Sequence, residues 1–394
     1  MLNFTYQNRT RIVFGRDTHR QIGVLLKPMA GKVLLHYGGS SIRKSGLYDR
    51  VTASLTEAGV AYVELGGVQP NPRVSLCKEG VKLCQREHVE LILAVGGGSV
   101  IDSAKGIAHG LAHPEYDLWD IHAQGLPTEG SAPVACILTL PAAGSESSNS
   151  CVLSNDLTHQ KYGHSCESNR PVLSVVDPTL FATIPPYHIA SGVADMMSHI
   201  FERYFSRTSH TEAVDALCEA TLRTLLAFGP CAVDDPTDYD AWCQVALCGT
   251  MAHNNVLGIG REQDWGAHKL EHELSAEFDV THGAGLAVLT PAWMRYVKDV
   301  CPKRSLDFAV KVMGVCPAPG ASETETIEAG VRALEAFYRR MGLPSTLRAL
   351  GVTEEALPVM AKRAVTGENG AERRVGAYLP LQEADILAIY RMCY

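Results

Sequence analysis

Four residues in the second half of the chain have the types and spacing to hold one metal ion: Asp195 and His199, then His268 and His282. Asp195 and His199 stand four apart in a helical stretch, so their side chains project from one face, a turn apart. His268 and His272 repeat that spacing, and His282 lies in the turn Thr281-His282-Gly283. Three imidazoles and one carboxylate suit Fe²⁺ or Zn²⁺ and suit Mg²⁺ or Ca²⁺ badly. The metalloprotease motif His-Glu-x-x-His does not occur. The competing reading is chance, because fifteen histidines guarantee some pairs at helical spacing. His188, His210 and His253 are read as structural or solvated.

A second constellation lies in the first half. Gly96-Gly97-Gly98-Ser99 directly follows the apolar run Leu91-Ile92-Leu93-Ala94-Val95. A strand that ends in glycines and enters a helix lets several backbone N–H groups approach a pyrophosphate, and the helix N-terminus adds a favourable partial charge. A tight turn without ligand is the competing reading, since the loop is not Gly-x-Gly-x-x-Gly. Another glycine turn, Gly38-Gly39-Ser40-Ser41, closes an earlier strand. No carboxylate follows it before Asp49, while Arg43 and Lys44 are close by. A carboxylate there would repel a ribose 2′-phosphate, so the composition leans to NADPH over NADH. Nucleotide in one half and metal in the other suggest metal-assisted hydride transfer.

The elements that must position these residues change character along the chain. Strand-like runs at 32–37, 61–65, 89–95, 133–140 and 172–176 alternate with helical stretches at 42–55, 74–86 and 100–111. Near-continuous apolar strands alternating with helices predict a mostly parallel sheet covered on both faces. After Ile184-Pro185-Pro186, long amphipathic stretches take over at 187–205, 212–228, 239–257 and 265–277. The expected division is therefore an α/β nucleotide-binding domain over residues 1–184 and a helical metal-binding and catalytic domain over 185–394.

Composition excludes several function classes. The 394 residues are 46% hydrophobic and 20% charged, with a formal net charge of −8, which points to a water-soluble chain and gives no reason to expect nucleic acid or membrane as partner. The N-terminus lacks the basic-then-apolar order of a signal peptide. The apolar run 132–144 is interrupted by prolines and falls short of the ~20 residues a membrane helix needs. Twelve scattered cysteines without a Cys-x-x-Cys pair read as reduced thiols, and the cytoplasm is the simplest location.

Read together, the segments GGGSVIDSAK at 96–105, GVADMMSH at 192–199 and DWGAHKLEHELSAEFDVTHGAG at 264–285 resemble the iron-containing (group III) alcohol dehydrogenases, over nearly the whole chain. Within that family the butanol-dehydrogenase-like, NADPH-dependent aldehyde reductases are nearest. The resemblance implies a nucleotide domain like that of dehydroquinate synthase, an all-helical metal domain, an active site in the cleft between them, and a homodimer. It carries the metal ligands onto Asp195, His199, His268 and His282 and a further active-site histidine onto His272. It places pyrophosphate at Gly96, Gly97, Gly98 and Ser99, and further cofactor contacts at Asn71, Asp102, Thr139, Ser145 and Lys161. One departure is visible: Ala143 stands where the family often has threonine, removing a hydroxyl near the cofactor.

The implied reaction is hydride transfer between NAD(P)(H) and a small aldehyde or primary alcohol, with metal polarising the oxygen and His272 relaying a proton. Trp265, Leu274, Phe278 and Trp293 suggest an apolar surrounding suited to short linear aldehydes, or else helix-packing core. Rival readings are a lyase or cyclase of the dehydroquinate synthase type and a non-catalytic metal- or nucleotide-binding protein. The first would need many basic residues near the histidines, where only Arg261 and Lys269 are close in sequence. A hydrolase is disfavoured because Gly-x-Ser-x-Gly is absent.

Overall fold

The computed structural model describes residues 1–366, 370 and 372–394. They form two compact units, one of Gln7–Thr183 and one of Met1–Tyr6 with Ile184–Tyr394. The first six residues therefore pack with the helical unit and not with the sheet that follows them. Leu2 N–H donates to Gly260 O at 2.8 Å, and the Met1 ammonium donates to Ser209 O at 2.6 Å.

The first unit is built on six parallel strands: β1 (Arg11–Phe14), β2 (Lys32–Tyr37), β3 (Ala61–Leu65), β4 (Leu91–Gly97), β5 (Val134–Leu140) and, after a separate hairpin, β8 (Leu173–Val176). Their order is β1-β8-β5-β4-β2-β3. The central strands β4, β5 and β8 are almost wholly buried, whereas the edges β1 and β3 are largely open. That contrast explains the apolar runs: a strand covered on both faces has no polar side to alternate with. β1, exposed and short, carried too little apolar signal to be expected. The hairpin β6 (Ser150–Asn155) and β7 (Gln160–Ser165) is antiparallel and outside the main sheet. Its polar sequence, with Gln160, Lys161 and His164 in β7, hid it as well.

Chain order reverses beside β2, which has β3 on one side and β4 on the other. In open α/β sheets ligands bind outside the carboxyl ends of strands at such a switch point. Both glycine turns lie there, after β2 and at the end of β4.

The expected helix 42–55 is two helices, Ser41–Lys44 and Leu47–Glu57, because Gly46 takes a left-handed conformation (φ 70°) between them. The stretch expected over 239–257 stops at His253, and Asn255 turns left-handed at φ 74°. In the second unit the helices that matter for the site are Pro186–Tyr204, Tyr239–His253, Gly266–Phe278 and His282–Val297. Pro186 opens the first of these at a position where its missing N–H costs nothing. The helix Glu212–Asp234 is long and apolar enough to cross a membrane, yet it buries Val214, Cys218, Leu222 and Leu225 and contains Pro230.

Candidate metal centre and nucleotide loops

The metal candidates come from three helices of one unit. Asp195 and His199 lie one turn apart on Pro186–Tyr204, His268 in the first turn of Gly266–Phe278, and His282 opens His282–Val297. Asp195, His268 and His282 bring ligand atoms within 4.8 Å of one another. The Nε2 atoms of His268 and His282 each stand 3.8 Å from Asp195 Oδ1. His199 is not part of that set, but its ring centre is 4.5 Å from that of His268 and its Nδ1 is 3.1 Å from Asp195 Oδ1.

Each imidazole is anchored through Nδ1. His199 Nδ1–H donates to the Asp195 backbone carbonyl at 3.0 Å, His268 bonds Glu202 Oε1 at 2.9 Å, and His282 bonds the Glu271 carboxylate. Anchoring one ring nitrogen on a carbonyl or carboxylate fixes the ring and leaves the other nitrogen for a metal. Buried Asp195 Oδ1 and His268 Nε2 make no hydrogen bond among the described residues. Buried polar atoms in a native fold are nearly always satisfied, so these two orphans on facing donors fit a cation. Carboxylate plus imidazole is the donor set of Fe²⁺ or Zn²⁺.

The electrostatics agree. Burial would raise Asp195, but His199 and His282 outweigh it and hold the carboxyl well below the usual range. Burial lowers His199 to about 4, so its ring is neutral and able to ligate at pH 7. Burial would also lower His268, yet the Asp195 and Glu202 carboxylates push it up to about 9.

Glu202 and Glu271, which hold His268 and His282, were not singled out by spacing alone. Each sits three residues after a predicted ligand, His199 and His268, and that i,i+3 carboxylate was the available signal. His253, read as structural or solvated, is buried with its ring 4.1 Å from His199. Trp265 flanks the centre, 5.3 Å from the His268 ring. Leu274 and Trp293 are core instead, Trp293 packing on Phe205 and Tyr378. His272 is half-buried beside the centre, its ring 5.8 Å from His282, and groups with Glu271 and His282 within 4.8 Å.

In the sheet unit, Gly98 begins the helix Gly98–Ala112, so the glycine loop is the N-terminus of a four-turn helix. A Cβ on Gly96 would fall 2.3 Å from Val100 Cγ2, and one on Gly98 would fall 3.2 Å from Ala143 Cβ. A Cβ on Gly38 would lie 3.3 Å from Val68 O and 3.7 Å from the same Val100 Cγ2. The two glycine turns therefore meet around Val100, and Ala143 adjoins Gly98. Thr139 lies at the end of β5, half-exposed.

Other expected cofactor residues have partners of their own. Ser145 Oγ–H donates to Asp102 Oδ1, and Val152 N–H donates to Asp102 Oδ2 at 2.9 Å. Buried Lys105 donates to Ser145 Oγ at 2.9 Å and to Ser150 O at 2.7 Å. Lys161 Nζ donates to Asn71 Oδ1 at 3.0 Å, and Asn71 has a left-handed backbone (φ 55°). Arg43, read as tolerant of a 2′-phosphate, pairs with Glu64 at 2.9 Å and lies 3.7 Å over the Tyr48 ring. Gly39, Ser40 and Ser41 are exposed.

Comparison with known proteins follows the same division. Residues 9–178 match the family model of iron-containing alcohol dehydrogenases, and 188–394 match the C-terminal model of the Fe-containing alcohol dehydrogenase family. The chain is 38% identical to NADH-dependent butanol dehydrogenase A of Clostridium acetobutylicum, over all of both chains. It is 34% identical to the NADPH-dependent aldehyde reductase YqhD of Escherichia coli, over 92% of this chain and 93% of that one. The crystal structure of NADH-dependent butanol dehydrogenase A from Thermotoga maritima superposes with a TM-score of 0.95 at 36% identity, covering 100% of this chain and 99% of that one. The chain belongs to the iron-containing alcohol dehydrogenase family.

Proposed function

We propose that this NAD(P)-dependent oxidoreductase reduces short to medium linear aldehydes such as butyraldehyde to the primary alcohol, and runs the reverse oxidation. The observation that carries the reading is the convergence of Asp195, His268 and His282 within 4.8 Å, with an unpartnered oxygen and nitrogen between them. Asp195, His199, His268 and His282 would hold one divalent ion, Fe²⁺ or Zn²⁺. A bound ion would supply Lewis acidity toward the substrate oxygen, and a reduced nicotinamide would supply hydride. Glu202 and Glu271 hold His268 and His282 by their Nδ1 atoms, so the ring nitrogens needed for ligation stay directed inward. His272 is assigned the proton that the product alkoxide needs, since it is half-exposed to solvent next to His282.

Nucleotide contacts are assigned to Gly38, Gly39, Ser40 and Ser41, to Gly96, Gly97, Gly98 and Ser99, and to Asn71, Asp102, Thr139, Ser145 and Lys161. Relatives bear both NADH- and NADPH-dependent names. The lean to NADPH rests on the turn after β2, where no acid precedes Asp49. Pairing of Arg43 with Glu64 makes that lean small. A cytoplasmic homodimer is the proposed setting, supported by the family resemblance.

The lyase reading loses its chemistry as well as its family. Arg261 is committed to Arg203 O, Thr211 O and Asp215, and Lys269 donates to Arg374 O at 2.6 Å. Arg203, one turn after His199, donates to the His199 carbonyl at 2.7 Å, so these basic residues are engaged where a phosphorylated sugar acid would need them. The deciding experiment follows NADPH and NADH oxidation with butyraldehyde on chelator-stripped protein reloaded with Fe²⁺ or Zn²⁺. Activity that disappears with the metal and returns with one ion supports the reading and names the ion. Nucleotide binding without turnover in every metal state would overturn it.

A further inference from the structure

A second cluster of metal-ligating side chains lies within the sheet unit, away from the glycine loop. His109 is on the helix Gly98–Ala112, eleven residues after Gly98 and so about 16 Å along the axis. His122 lies on the short helix Leu118–Ala123, His164 on β7, and Cys166 just beyond it. The three ring centres are mutually close: His109–His164 5.3 Å, His122–His164 5.8 Å and His109–His122 6.1 Å. Cys166 Sγ is 3.5 Å from His109 Nε2, and its ligand atom groups with those of His109 and His164 within 4.8 Å.

These spacings are close to those of one tetrahedral ion. With Zn–N about 2.05 Å and Zn–S about 2.3 Å, the N···S edge of a tetrahedron is about 3.5 Å, and imidazole centres around it are about 5 Å apart. By its ligand atom His122 groups with His109 and Cys151, so its ring must turn toward Cys166 for the set to close.

Hydrogen bonding inside the cluster is incomplete in a way that points to a ligand. His122 Nδ1–H donates to the Tyr162 carbonyl at 3.3 Å, which leaves the lone pair on Nε2. That Nε2 is buried without a partner, and His122 is only 4% exposed. His109 is fully buried as well, and it presents Nε2, not its unsatisfied Nδ1, to Cys166. His164 is oriented by Thr128 Oγ1 at 2.9 Å from its Nε2, and Cys166 by Ser168 Oγ at 3.0 Å. A ring nitrogen held by a carbonyl or hydroxyl while another is free is how metal-ligating histidines are built. Without an ion the buried His122 Nε2 is left unpaired for no return.

We propose that His109, His122, His164 and Cys166 form a structural site for a thiophilic divalent cation, Zn²⁺ in the first instance, distinct from the centre at Asp195. Three imidazoles and a thiolate close the coordination sphere, so the ion ties the nucleotide-loop helix to the β6–β7 hairpin and takes no substrate. Cys151, which groups with His109 and His122 within 4.8 Å, donates its Sγ–H to Asp102 O at 3.2 Å and remains outside the ligand set.

The two sites differ in one chemically visible respect: only the second contains a thiolate. The full-length chain, chelator-stripped and loaded with Co²⁺, should bind two ions and show thiolate-to-cobalt absorption in the near ultraviolet. His268→Ala should lose one ion and keep the absorption. Cys166→Ser should also fall to one ion but lose the absorption, and His122→Asn should weaken it. One ion per chain with no thiolate absorption in the parent protein would overturn the proposal. So would an absorption that survives Cys166→Ser. Should Cys166→Ser misfold, the His268→Ala spectrum decides alone, because that variant retains every proposed ligand.

Discussion

At the scale of single residues, the proposed roles separate metal ligands from the group that would move a proton, and each role can be tested alone. His272 groups with Glu271 and His282 within 4.8 Å, whereas His268 Nε2 stands 3.8 Å from Asp195 Oδ1. His272→Ala should lower kcat by about 10²–10⁴-fold while metal content, read by elemental analysis, stays near that of the parent. Lost metal in that variant would count against the relay role. His268→Ala should lose metal and activity together. The metal-free centre should also be pH-sensitive. His268 titrates near 9 in the metal-free protein, and only the unprotonated ring ligates. Metal affinity should therefore rise with pH, about tenfold per unit between 7 and 9, and level off above. The linked stability has the opposite sign: a raised imidazole pKa stabilises the metal-free fold fully below 6.5 and is lost as pH rises through 9. An affinity flat across that window in competition titrations would contradict the assignment.

At the scale of elements, close helix approach sets the ligand geometry. A Cβ on Gly283 would fall 1.9 Å from the Ser191 carbonyl oxygen, backbone of the helix that carries Asp195. Gly283→Ala must push His282 away from Asp195. The expected cost is about 1–3 kcal/mol of stability together with weakened metal binding, read by thermal melts and metal titration. Gly31→Ala, where the nearest atom would be 3.7 Å away, should change neither. The turn after β2 is the element proposed to set nucleotide choice. With Arg43 held by Glu64, kcat/KM for NADPH should exceed that for NADH by less than about tenfold, under about 1.4 kcal/mol. A ratio below one would overturn the lean.

At the scale of the whole molecule, a bound ion would be thermodynamically linked to the helical unit, since the proposed ligands join three helices. An ion present at about a thousandfold over its Kd adds about 4 kcal/mol. In a unit of this size each kcal/mol shifts melting by about 2–4 °C. Chelation should lower the melting of the helical unit by about 8–16 °C, and readdition of the ion should restore it. Melting unchanged by chelation would mean that no ion links these helices.

Much of this was legible in residue order. The buried strands of the sheet announced themselves as unbroken apolar runs, and the glycine turns as strand ends, because both signals are local. Asp195 and His199 could be paired from spacing, since helical periodicity is local too. The edge strand β1 and the polar hairpin β6–β7 were not legible, because neither buries a continuous apolar face. Nor was the role of Trp293, whose burial in the core depends on Phe205 and Tyr378, both far off in sequence. By itself the sequence determined the alternation of elements, and it supplied the carboxylate and imidazoles proposed as metal donors. Only the tertiary structure decided which atoms face each other: Glu202 and Glu271 behind the imidazoles, Arg43 tied to Glu64, and three histidines and a cysteine gathered behind the nucleotide loop. Such pairings join residues far apart along the chain, and local periodicity has no term for distances that packing alone sets.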